Sequence, residues 1–130
     1  MKGTVFLYYG FPFVDGETRD KFFIILNEPG PSDLIITCIT TSQSDHRPDR
    51  EGCHHIHNLY ILNPNSDYFP KKTWVQFYRV FKFGQEIFSK SKQRGHIEEK
   101  AILKPVTVKA IINCIMRSED IPYYDLQLIQ

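Results

Sequence analysis

No apolar run in the 130 residues approaches the ~18 needed to cross a bilayer as a helix. There is no internal repeat and no low-complexity tract. Gly-x-Gly-x-x-Gly, P-loop and Gly-x-Ser-x-Gly patterns are all missing, which removes the local signals for dinucleotide binding, P-loop phosphate binding and a nucleophile elbow. Wholesale disorder is excluded too, because 42% of residues are hydrophobic, only 24% are charged and the formal charge is +1. Cysteine is scarce and odd in number: Cys38, Cys53 and Cys114 lie far apart. Cys38 sits in an apolar run and Cys114 in a helical pattern, as buried free thiols do. Met1-Lys2-Gly3-Thr4 enters a strand-like stretch at once, without the apolar core and small-residue cleavage site of a secretory signal. Together these features predict free thiols in a reducing cytoplasm.

What is present is enough apolar and aromatic material for one domain, residues 1–130, to bury a core without staples. Strand-prone runs rich in β-branched and aromatic residues are read near 3–9, 21–27, 33–41, 58–62, 73–81 and 86–90. Asp15-Gly16 and Pro29-Gly30-Pro31 supply turn chemistry between the first three. Residues 41–57 are polar and irregular, and a loop that long in a small domain is usually functional or mobile. Near 105–117 a helix is expected. Pro105 suits a first helical position, and Val108, Ile111, Ile112, Ile115 and Met116 form one apolar stripe. Ile121-Pro122 breaks the pattern, leaving Tyr123 to Ile129 as a short apolar tail. The expected fold is mainly β: a small curled antiparallel sheet or barrel carrying one C-terminal helix.

Charge is unevenly distributed. Residues 1–70 hold five Lys or Arg against nine Asp or Glu, whereas residues 71–100 hold eight against three. A basic region of this kind suits a polyanion. Cys53-His54-His55-Ile56-His57, with Cys38, offers zinc-ligand chemistry, but paired Cys-x-x-Cys spacing is missing. Two of these histidines are also candidates for the base and acid of a nuclease. Glu98-Glu99 and Glu119-Asp120 read as surface charge.

Gly3-Thr4-Val5-Phe6-Leu7-Tyr8-Tyr9, then Phe11-Pro12-Phe13-Val14-Asp15-Gly16-Glu17-Thr18-Arg19, lead into the strand Phe22 to Leu26. The next strand ends in Cys38-Ile39-Thr40-Thr41-Ser42. Gln85-Glu86-Ile87-Phe88, a basic stretch, Gly95 and a closing helix follow. In this order of parts the chain resembles the MazF/PemK family of toxins from type II toxin–antitoxin pairs, most clearly over residues 3–44. Residues 41–72 read as a loop insertion relative to compact members.

The resemblance implies an SH3-like barrel, usually homodimeric, that cleaves single-stranded RNA by 2′-hydroxyl attack with no metal or other cofactor. It implies an antitoxin partner in a bacterial cytoplasm, and no membrane. By position the catalytic residues become Arg19 and Thr40, with Lys21 and Thr41 in support. Where the family has Arg-Pro, this chain has Arg19-Asp20-Lys21, two positions on one strand face. His46 or His54 is the candidate proton acceptor. Lys90, Lys92 and Arg94 are the expected phosphate contacts, with Arg47, Arg50, Lys71 and Lys72 as a second set. The alternatives are a non-catalytic barrel that binds a protein partner, as gyrase-poisoning relatives do, and a His- or zinc-dependent nuclease.

Overall fold

The computed structural model describes residues 1–129. Seven strands form one antiparallel sheet: β1 (Thr4–Pro12), β2 (Thr18–Ile25), β3 (Ile35–Thr41), β4 (Gly52–His54), β5 (Leu59–Leu62), β6 (Thr73–Phe83) and β7 (Ile97–Ile102). Their spatial order is β4-β5-β6-β3-β2-β1-β7, so the sheet is curled but not closed, with β4 and β7 at its edges. Three helices accompany it: α1 (Gln85–Gln93), α2 (Pro105–Ile115) and α3 (Tyr123–Ile129). None is long and apolar enough to cross a membrane.

β3 is the innermost strand by composition as well as by place. Ile35-Ile36-Thr37-Cys38-Ile39-Thr40-Thr41 is buried at every position, which suits a β-branched run covered on both faces. In β2 the pleat divides two cores. Ile24, with Phe22 beside it, joins a cluster with Val5, Ile36, Cys38, Phe77 and the stripe residues Ile111 and Ile115. Phe23 and Ile25 join a second cluster with Phe6, Ile35, Ile39, Phe88 and Ile97. Adjacent residues on a strand point to opposite faces, so α2 and α3 cover one face and α1 covers the other. The second cluster is rich in rings: Phe6 stacks on Phe23 at 5.1 Å and meets Phe88 edge-on at 5.2 Å.

Gly3 leads β1 because nothing larger fits. Its φ is +87°, and a Cβ there would lie 2.7 Å from a methyl of Val108 in α2. Its backbone joins sheet and connection, donating to the Ile25 carbonyl and accepting from the Leu103 amide.

Four expectations change. The segment expected as a strand over 86–90 is α1, and Lys90, Lys92 and Arg94 belong to that helix and its C-cap. Gln, Glu, Ser and Lys there favour helix, and only Phe88 is buried, as for one helical turn touching the sheet. Gln85 anchors the start by donating to the carbonyls of Gly30 and Asp33. The apolar tail is α3, held by a 2.6 Å ion pair between Lys82 of β6 and the buried Asp125. Segment 41–72 contains β4, a 3-10 turn (His55–His57) and β5, so much of it is ordered sheet margin. Finally, Cys53 and Cys114 form a disulfide joining β4 to α2. Cys38 alone is a free, buried thiol. The expected free thiol of Cys114, one ground for a reducing compartment, is thus replaced by a disulfide.

Candidate functional site

The β2–β3 register sets the site. Phe23 pairs with Ile39, Ile24 with Cys38 and Ile25 with Thr37. The start of β2 therefore lies beside the end of β3, although a turn separates them in sequence. The Thr40 hydroxyl donates to the Phe22 carbonyl at 3.2 Å, closing the pair beyond its last ladder rung. At this end of the sheet a cleft of about 430 Å³ opens. Lys21, Thr40 and Thr41 line it, with Ser42 and Gln43 beyond them. Tyr68, Phe69 and Lys71 come from the segment before β6.

Lys21 is the cationic centre of the cleft. It is half-buried and has no ion-pair partner among the described residues. Burial pushes its ammonium below the usual lysine range, and the positive charges of Arg19 and Arg47 push it further. Arg47 is held by donating to the Gln43 carbonyl at 2.9 Å and by Asp45 at 3.6 Å. The long loop that carries it is pinned by Trp74 of β6, which donates to the Pro48 carbonyl at 2.7 Å, and by Lys72 just before that strand, which donates to the Asp49 carbonyl. The two threonines differ. The Thr40 proton is engaged by the Phe22 carbonyl, whereas the Thr41 oxygen accepts from the Gln43 amide at 3.3 Å and keeps its own proton to donate.

Arg19 stands outside this group. It does not line the cleft; its guanidinium lies 4.7 Å over the Phe13 ring and donates to Asp15 at 3.0 Å and Glu17 at 2.9 Å. The bond to Glu17 raises its pKa further above an already high value, with Asp15 adding to it. Asp15-Gly16, read as turn chemistry, also supplies the carboxylate that draws Arg19 away. Asp20 lines the cleft and accepts from the Gly10 amide at 2.8 Å.

The expected phosphate contacts divide in the same way. Lys71 lines the cleft, Arg47 acts on Lys21 from beside it, and Arg50 lies exposed in the loop before β4. Lys90 pairs with Glu86 at 3.1 Å and Lys92 with Glu99 at 3.0 Å, while Arg94 caps α1. No residue of α1 lines the cleft, and its charge is largely matched locally. Neither His46 nor His54 lines it either; a ring nitrogen of His54 lies 2.6 Å from the Arg50 carbonyl. Among the described residues no three His, Cys, Asp or Glu side chains are grouped to hold a metal ion, and Cys53 is committed to its disulfide.

Of the lining residues, Lys71 belongs to the second set of basic residues read from the sequence, whereas Tyr68 carries no sequence signal that marks it. The prominence of Lys21 over Arg19 had one usable signal, its place directly before the apolar run of β2. No family model matches the chain, and no curated protein or solved structure matches it either.

Proposed function

We propose that the chain is a metal-independent endoribonuclease acting on single-stranded RNA, the toxin of a type II toxin–antitoxin pair, with the Lys21 cleft as its active site. The observation that carries the reading is Lys21: a half-buried cation without an anionic partner, beside two threonines at the junction of β2 and β3. Burial without an anionic partner lowers the Lys21 pKa, which favours the free amine that a general base requires.

In the proposed reaction the neutral Lys21 amine takes the proton of a ribose 2′-hydroxyl. The oxygen attacks the adjacent phosphorus, forming a new P–O bond. The bond to the 5′-oxygen breaks, and Lys71, as ammonium, returns a proton to that leaving oxygen. The products are a 2′,3′-cyclic phosphate and a 5′-hydroxyl end. The Thr41 hydroxyl donates to a non-bridging oxygen, and Arg47 stabilises charge that grows on the phosphorane. Thr40 positions the strand pair. Arg19, bound to Asp15 and Glu17, adds as an outer charge to the lowering that burial imposes on the Lys21 pKa. Homodimerisation, neutralisation by an antitoxin and residence in a bacterial cytoplasm belong to the same proposal and rest on the family resemblance.

The test is cleavage of a mixed-sequence single-stranded RNA in excess EDTA, with end-group analysis. The parent should leave cyclic phosphate ends, and a folded Lys21→Met variant should lose about 100- to 1000-fold in rate. Cleavage only with added metal, or none with or without it, would remove the reading. Growth arrest on induced expression in bacteria tests the toxin half.

A further inference from the structure

The cleft is lined by two unlike sets of residues. One is the polar set of Lys21, Thr40 and Thr41; the other is Tyr68, Phe69 and Pro70. Phe69 is core, 6% exposed, whereas the neighbouring Tyr68 is 37% exposed. The Tyr68 ring meets Phe22 at 6.1 Å with a 67° interplanar angle, and Phe69 at 5.3 Å with 71°. Both contacts are edge-on, and no other aromatic ring among the described residues stacks parallel on it.

The segment that carries this ring is fixed. The Asn65 amide donates to the Phe69 carbonyl at 2.9 Å, and the Tyr68 amide donates to Asp67 at 2.8 Å. The other Asp67 oxygen accepts from the Lys104 amide at 3.0 Å, tying the turn to the start of α2. An aromatic held on a braced turn, with no ring stacked parallel on it and basic side chains lining the same cleft, is an arrangement that suits one nucleotide. The phosphate meets the Lys71 ammonium and the Thr41 hydroxyl, and the base stacks on the ring, an arrangement tolerant of base identity because every base has a π-face. The volume falls within the about 300–1,000 Å³ of small-ligand sites.

We propose that Tyr68 is the stacking platform for the base next to the phosphate that reacts beside Lys21. The assignment rests on the endoribonuclease reading for the phosphate, and it makes an unpaired, unstacked base a requirement of the substrate. A base inside a duplex has both faces covered and cannot reach the ring.

The experiment compares parent, Tyr68→Phe and Tyr68→Leu on one single-stranded oligonucleotide and on versions carrying an abasic site at each position flanking the cut. Both Kd and kcat/KM are measured. On intact RNA, Tyr68→Leu should lose about 5- to 150-fold in affinity, and Tyr68→Phe should stay near the parent. One abasic position should cost the parent a similar factor, and on that RNA Tyr68→Leu should lose nothing further. An equal loss on intact and every abasic RNA would make Tyr68 merely structural and overturn the proposal, as would no loss at all. A parent that binds RNA through Tyr68 but never cuts it would sink the nuclease reading and leave the platform standing. A parent that binds no RNA removes both.

Discussion

The Thr40 hydroxyl reaches across the sheet to the carbonyl of Phe22, 18 residues earlier, at 3.2 Å. Thr40 is therefore a donor already spent on architecture, while its neighbour Thr41, which lines the cleft, donates to no group among the described residues. Thr40→Val should lower unfolding stability by about 1 kcal/mol, the usual net value of one hydrogen bond. Thr41→Val removes only the long 3.3 Å acceptance from the Gln43 amide, so it should cost less stability than Thr40→Val and cut RNA cleavage by about 100-fold or more. Denaturant melts and single-turnover rates on the two variants separate these outcomes; the reverse pattern would return the donor role to Thr40.

Lys21 sets a pH dependence with a definite sign. Its folded pKa lies below the unfolded value, so between the two the unfolded chain binds more protons and stability rises with pH. Below the folded pKa the protein carries the full cost of a charged, half-buried ammonium. Lys21→Met should therefore stabilise the fold at neutral pH and lose that advantage toward the ordinary value of 10.5. The rate of RNA cleavage should rise with pH as the amine loses its proton. Arg47→Ala removes a positive neighbour, so the rising limb should move to higher pH. A limb that stays in place would show that Arg47 does not act on Lys21.

The disulfide closes a loop with a sequence separation of 61 residues, and chain-entropy arguments give such a link about 4 kcal/mol. Melts with and without a reducing agent should differ by an amount of that order, and Cys53→Ser should reproduce the reduced state. Thiol counting gives an independent check. Burial pushes the Cys38 thiol up to about 12, so no thiol should react in the native chain. One should react after unfolding alone, and three after unfolding with reduction.

Lys82→Met would leave the Asp125 carboxylate, 3% exposed, without its cation. Removing one partner of a buried pair costs about 3–5 kcal/mol, and the partial exposure of Lys82 places this case at the low end. The double variant Lys82→Met with Asp125→Leu should recover most of the loss. Hydrogen exchange should locate the single variant's damage in α3, because that ion pair pins the helix to β6.

How far the sequence foretold this structure follows from burial. β1, β2, β3, β5 and β6 announce themselves because their apolar residues face packed layers, and the α2 stripe has a clear period. β7 is Ile-Glu-Glu-Lys-Ala-Ile, an edge strand with one paired side, and its charges hide it from any hydrophobic pattern. α1 is concealed for a related reason: one buried phenylalanine cannot show a period. The cleft was half legible. Its polar lining follows from pairing β2 with β3, but Tyr68 arrives through turn geometry and the Asp67–Lys104 contact, which link residues 37 apart. The disulfide could not be read at all, since Cys53 and Cys114 become neighbours only when β4 docks on α2.

The strand order also governs how the chain meets the ribosome and its surroundings. β1, β2 and β3 are made first and form the middle of the sheet, yet their outer neighbours β6 and β7 lie far downstream. Until residues 73–83 and 97–102 emerge, the nascent three-stranded unit has two unpaired edges and an aromatic face that α1 has not yet covered. Such edges are templates for pairing with other chains. The interval between synthesis of Thr41 and of Ile102 is thus the window in which this protein is most exposed to aggregation and most in need of a chaperone.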